Sequence, residues 1–125
     1  MASRKYYRDF RDHLKELESR EKLIRIRRRI DKDTELMPLV RWQFRGLDEE
    51  QRKAFLFENV VDAKGKQYSM PVTVGTLAAT TEIYAIGLMC RAEEIHERWN
   101  NAQLTPIEPV KVGAGPAVRP EPADR

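Results

Sequence analysis

The chain has 125 residues, of which 41% are hydrophobic, with 23 Lys and Arg set against 20 Asp and Glu. That allows one domain with one modest core and excludes wholesale disorder. A single cysteine, Cys90, excludes an internal disulfide and a cysteine-built zinc site, and no apolar run approaches the roughly 20 residues that span a bilayer.

The first predicted element is a helix. Phe10, Leu14 and Leu17 recur at i, i+4 and i+7, His13 falls on the same side, and Asp9 or a start nearer Ser3 caps it. Leu23 to Ile30 then alternates as a half-buried strand. Ile24, Ile26 and Ile30 share one face with Arg28, and Leu23, Arg25, Arg27 and Arg29 share the other. Asp31-Lys32-Asp33-Thr34 caps a second helix that holds Leu36, Leu39 and Val40, with Phe44 at its end. Pro38 fits only in the first turn of that helix, and Gly46 stops it. After the polar connector Asp48 to Lys53, Ala54 to Val61 reads as a second strand. Asp62 to Lys66 is a turn, and Met70 to Val74 is a third strand entered through Pro71, which marks an edge or a strand start. The second and third strands read as a hairpin. Thr80 caps a third helix with Ile83, Ile86 and Met89, and Arg91 to Gln103 is a fourth with Ile95 and Trp99 at i, i+4. Residues 105–125 hold five of the seven prolines and two of the six glycines, the mark of an extended linker or tail.

These elements predict an α+β fold. A small mixed or antiparallel sheet of about three strands is covered by helices on one side, because a hairpin forbids a purely parallel sheet. The domain is placed at residues 1–104 and the Pro-rich tail at 105–125. The predicted core is Phe10, Leu14, Leu17, Ile24, Ile26, Leu36, Val40, Phe55, Phe57, Val72, Val74, Ile83 and Ile86.

Charge is unevenly spread. Residues 1–30 carry 11 Lys and Arg against 5 Asp and Glu, and residues 31–125 carry 12 against 15. The basic part peaks at Arg25, Arg27, Arg28 and Arg29. Such a run meets phosphates in some proteins, but it has no aromatic interleaving, so a solvated strand face or a partner for the acidic half is the preferred reading. No glycine loop for phosphate is present, since Gly75 and Gly87 stand alone. His13 and His96 lack a second ligand at metal spacing. His13 is expected to be half-buried on its helix, and His96 to pair with carboxylates at the surface. Cys90 has no base near it in sequence and reads as a packed thiol. Glu93, Glu94 and Glu97, beside Arg91 and Arg98, read as a solvated helix face, and Trp42 and Trp99 as core anchors. No catalytic, cofactor-binding or metal-binding set is predicted.

The order of segments carries more information than any single residue. Asp9 to Glu18 leads into Lys22-Leu23-Ile24-Arg25-Ile26 and then Arg28-Arg29-Ile30-Asp31-Lys32-Asp33-Thr34-Glu35-Leu36. This resembles the opening of the UbiD family of decarboxylases, where an amphipathic helix runs into a Leu-Val-Arg-Ile-like strand and an Asp-x-Asp-x-Glu helix start. Phe55 to Val60 resembles the family's Leu-Phe-Glu-Asn-Val strand, and Met70 to Gly75 its Met-Pro-Val strand ending in Gly. Thr80 to Gly87 resembles the helix that follows, and Pro106 to Val110 its Pro-Ile-Pro-Pro-Val linker. The likeness covers residues 8–112. Where the family often has an Asn and a Phe-Gly after the third strand, this chain has Thr76 and Ala78-Ala79.

The resemblance implies a non-catalytic N-terminal domain or small subunit of a UbiD-like carboxy-lyase. The complete assembly would reversibly decarboxylate an aromatic or α,β-unsaturated carboxylic acid. Prenylated FMN, a divalent metal, potassium and a Glu-Arg-Glu catalytic set would lie in later family segments that have no matching positions here. The expected partner is a larger subunit with the flavin-binding and catalytic domains, met through Arg25, Arg27 and Arg29. The expected setting is cytoplasmic, because Met1 to Lys5 lacks the apolar stretch of a signal peptide. A free-standing adaptor or regulatory module is the alternative. A small nucleic-acid binder using Arg25 to Arg29 is less favoured, and would show steeply salt-dependent binding.

Overall fold

The computed structural model describes residues 6–113 and 115. Among the described residues four α-helices, α1 (Phe10–Ser19), α2 (Met37–Gly46), α3 (Thr81–Gly87) and α4 (Ile95–Leu104), accompany six short strands. The strands are β1 (Leu23–Ile26), β2 (Ile30–Asp31), β3 (Ala54–Phe57), β4 (Val60–Val61), β5 (Gln67–Tyr68) and β6 (Val72–Val74). The fold is α+β, as the sequence predicts. β3 is the central strand of one sheet, parallel to β1 and antiparallel to β6, and β4 is the central strand of a second, parallel to β2 and antiparallel to β5.

The two sheets continue the same three chain segments. Ile26 pairs with Phe57 and Ile30 with Val60, so one segment advances four residues while its neighbour advances three. The extra residue on the first segment makes a bulge at Arg27 to Arg29, bridged by hydrogen bonds from Glu58 N to Ile26 O and from Ile30 N to Asn59 O, each 3.0 Å. The predicted single strand Leu23 to Ile30 is therefore broken in the middle, and Arg27 and Arg29 leave regular strand geometry. The odd spacing also brings Phe57 and Val60 into the same core cluster, which strict alternation would forbid.

The sheet is covered on both faces, not on one as expected. Every residue of β3 is buried, so each of its two faces needs an apolar cover. Phe55 and Phe57, stacked with ring centroids 5.5 Å apart, pack with Ile30, Leu36, Val40 and Val60, flanked by Ile26, Leu39, Val72 and Val74. On the other face Ala54 packs with Leu17, Ala79, Ile83 and Ile86, flanked by Leu14 and Leu23. Two predicted core residues, Phe10 and Ile24, are exposed instead. Phe10 lies at the start of α1, and Ile24 lies on edge strand β1. Trp42 and Trp99 are exposed as well. The Trp99 indole donates to the Tyr84 hydroxyl at 2.6 Å, so it is a hydrogen-bonded surface ring rather than a core anchor.

Capping follows the sequence closely. The Asp9 side chain accepts from Asp12 N, Asp31 from Asp33 N and Thr34 N, and Thr80 from Ile83 N. The second helix begins earlier than Pro38 allows for a regular α-helix. Lys32–Leu36 forms a wider π-helical turn that runs into α2, so Pro38 still falls at the start of an α-helical stretch and displaces no α-helical hydrogen bond. Helices α1 and α3 end alike. Lys22 N bonds to Leu17 O and Glu21 N to Glu18 O, while Cys90 N bonds to Ala85 O and Met89 N to Ile86 O. Both are Schellman endings, and Glu21 and Met89 hold the left-handed position with φ of 57° and 54°. Met89 thus lies past the helix that was expected to include it. Residues 105–113 form no helix or strand. The end of the predicted tail, 116–125, lies outside the described residues.

Candidate functional site

The arginine run is largely occupied from within. Arg25 donates through Nε and Nη2 to the Glu18 carboxylate at 2.9 Å each, and through Nη1 to Glu58. Glu58 also holds Arg27 at 3.3 Å, and Arg28 lies 3.7 Å from Glu35. The paired Glu18 carboxylate holds the Arg25 guanidinium above its ordinary range, and Glu58 adds to this. The same hydrogen bond holds Glu18 below the usual carboxylate range. Arg29 is exposed and has no carboxylate partner among the described residues. Of the three predicted interface arginines, Arg25 and Arg27 meet at one carboxylate and Arg29 stands apart at the bulge. Pairing of this kind meets part of the run's charge from within, while Arg29 has no such partner among the described residues.

His13 is more buried than the sequence suggests, 5% exposed, and its Nε2 lies 2.8 Å from the Thr76 carbonyl. A carbonyl only accepts, so Nε2 carries the proton. The bond ties α1 to the loop after β6, and the rings of Tyr7 and Phe10 flank the imidazole. His96 is exposed, and no carboxylate pairs with it among the described residues. Cys90 is half-buried. Gly75 starts the same loop at φ 75°, and a Cβ there would sit 3.2 Å from that of Ala79. The positive φ favours glycine here, and the close approach to Ala79 leaves little room for a Cβ, which accounts for the glycine that closes the Met-Pro-Val segment.

An apolar groove runs beside this loop, and the sequence reading did not single it out. One part, about 600 Å³, is lined by Met37, Pro38, Val40, Arg41, Phe44 and Val74. The next, about 590 Å³, shares Phe44 and Val74 and continues along Gly75 to Ala79 as far as Phe10. Phe10, Met37, Phe44 and Leu77 are all exposed along it. Met37 and Phe44 are seven residues apart, which puts them on one helix face, and this was the available signal. Phe44 is expected at the end of the second helix and is not among the predicted core residues, so its exposure contradicts no prediction.

No group of three or more His, Cys, Asp or Glu residues that could hold a metal converges among the described residues. No helix among the described residues is long and apolar enough to cross a membrane.

Residues 14–102 match the family model described as the 3-octaprenyl-4-hydroxybenzoate carboxy-lyase N-terminal domain. The chain belongs to this UbiD N-terminal family. Neither the curated proteins nor the solved structures compared with it give a significant match. The matched span runs from α1 to α4 and takes in both core clusters. Within it, the UbiD motif Phe55 to Val60 supplies central strands β3 and β4 and also Glu58, the carboxylate that gathers Arg25 and Arg27. The resemblance read from sequence is thus a pattern of core and ion-pair residues.

Proposed function

We propose that this UbiD N-terminal domain is a non-catalytic part of a carboxy-lyase assembly, as the first domain or as a separately made small subunit. The match over residues 14–102 carries the reading. In this proposal the flavin-bearing part of the assembly holds prenylated FMN, a divalent metal and potassium. The whole reversibly decarboxylates an aromatic or α,β-unsaturated carboxylic acid. The family description names a substituted 4-hydroxybenzoate, an aromatic acid, which favours the aromatic class. The domain ends near residue 104 and the Pro-rich segment beyond it serves as the linker. Arg27 and Arg29, exposed at the bulge with Arg25 behind them, steer the domain toward an acidic surface of the larger subunit.

Co-purification from the native host with mass analysis tests this. The expected result is elution with a larger polypeptide that carries the flavin-binding and catalytic segments. Elution of the chain alone at low and at moderate salt refutes it.

A further inference from the structure

His13 is a buried titratable group that the proposed function leaves unused. It belongs to α1, and its Nε2 reaches a carbonyl 63 residues away, that of the buried Thr76 in the loop after β6. Its other ring nitrogen, Nδ1, is also buried and has no hydrogen-bond partner among the described residues. A neutral imidazole tolerates this arrangement, because Nδ1 is then only an acceptor. An imidazolium does not. Both nitrogens then carry protons, and a buried donor without an acceptor is costly, more so on a charged ring.

The elements packed on the ring offer neither that acceptor nor a counter-charge among the described residues. Tyr7 stands edge-on with ring centroids 5.3 Å apart, and its hydroxyl donates to the Ile86 carbonyl at 2.7 Å. Burial holds the Tyr7 hydroxyl above its ordinary range, so Tyr7 supplies no negative charge. The Phe10 ring lies on another side. The end of α3 meets the imidazole at Gly87, where a Cβ would lie 3.6 Å from Cε1. The Ala85 and Ile86 carbonyls at that end already accept from Cys90 N and Met89 N. The Gly75 to Ala79 loop has no titratable side chain. The carboxylates within a turn of His13 along the chain, Asp9, Asp12 and Glu16, are directed to Asp12 N, Arg8 and Arg20.

We infer that His13 is an acid-sensitive tie between α1 and the Gly75 to Ala79 loop. The neutral ring holds the loop through Thr76, and protonation at Nδ1 releases it. The stability that the tie contributes is present at neutral pH and lost as the pH falls toward 5.5. Phe10 on α1 and Leu77 on the loop line the same groove, so release changes the shape of that groove. The inference concerns the domain itself and does not depend on the proposed function.

His13 and His96 are the two histidines of the chain, and His96 is exposed, so two variants separate them. The test is urea unfolding of the full chain at pH 7.5 and pH 5.5. The wild-type midpoint is expected to fall by about 0.5–1 M between them. His96→Gln, which leaves His13 as the only histidine, should show the same fall. His13→Gln, whose amide can still donate to Thr76 but cannot take up a proton, should show none. In the His96→Gln chain the amide NMR signals of Thr76 to Ala79 should also move between the two pH values. A His96→Gln midpoint that stays within about 0.2 M, loop signals that do not move, or the full fall persisting in His13→Gln each overturns the tie. If His13→Gln does not fold, His96→Gln decides alone.

Discussion

Gln43 offers the sharpest test of how the central strand is anchored. It is 3% exposed, and its amide makes two bonds to one residue: Lys53 N donates to Oε1 at 2.9 Å, and Nε2 donates to Lys53 O at 2.8 Å. These bonds clamp α2 to the residue that precedes β3. Gln43→Leu keeps the volume and removes both partners. An unsatisfied buried backbone group costs about 1–3 kcal/mol, and Lys53 is only half-buried, so water recovers part of the loss. The expected destabilisation is about 2 kcal/mol, a fall of about 1 M in the urea midpoint at an m-value of about 2 kcal/mol/M. Gln43→Glu separates polarity from hydrogen bonding. Its ionised carboxylate still accepts from Lys53 N but faces Lys53 O with no proton to give. The introduced carboxyl should therefore have a raised pKa in the folded state. Its stabilising contribution is present at low pH and lost as the pH rises through that value. The assay is urea unfolding of both variants at pH 4.5 and pH 7.5. A Gln43→Leu midpoint within about 0.3 M of wild type at unchanged m, or a Gln43→Glu variant no less stable at pH 7.5 relative to wild type, refutes the clamp.

Ile83 is fully buried in the cluster between α1, α3 and the sheet, so Ile83→Ala should cost about 2–5 kcal/mol, while Ile24→Ala, 38% exposed, should cost under about 1 kcal/mol in the same urea titration. Glu21 and Met89 hold left-handed positions at helix ends, and Glu21→Gly or Met89→Gly should each stabilise by about 0.5–1 kcal/mol, seen as a rise in Tm. Glu49 accepts from Thr81 N and Oγ1 at 2.8 Å each, and these donors hold its carboxyl below the usual range, as backbone donors from Lys66 and Lys64 and the Tyr68 hydroxyl do for Asp62. A lowered pKa gives stability that is present above the unfolded value and lost as pH falls through the folded one. The urea midpoint should thus decline as the pH drops below about 4.5, and less steeply in Glu49→Gln, which cannot protonate.

The groove was hard to see in the sequence because Met37, Phe44, Phe10 and Leu77 are ordinary apolar residues at core-like spacings. Phe10 shares the stripe of Leu14 and Leu17, yet it lies where α1 starts and the core ends. The arginine run was visible, but its pairing was not. Glu58 lies more than thirty residues from Arg25 and Arg27, and only the parallel register of β1 with β3 brings them together.

The sequence by itself determined the helix caps at Asp9, Asp31 and Thr80, the α+β class and the family. Each of these rests on local order: a side-chain oxygen within three residues of a free N–H, a change of hydrophobic period, or short motifs in sequence. The tertiary structure alone decided that the sheet is covered on both faces, that the first segment bulges at Arg27 to Arg29, and that β6 is an edge strand among the described residues. These depend on register and on which face meets which helix. A one-residue difference between paired segments, invisible along the chain, changes every side chain beyond it from one face to the other.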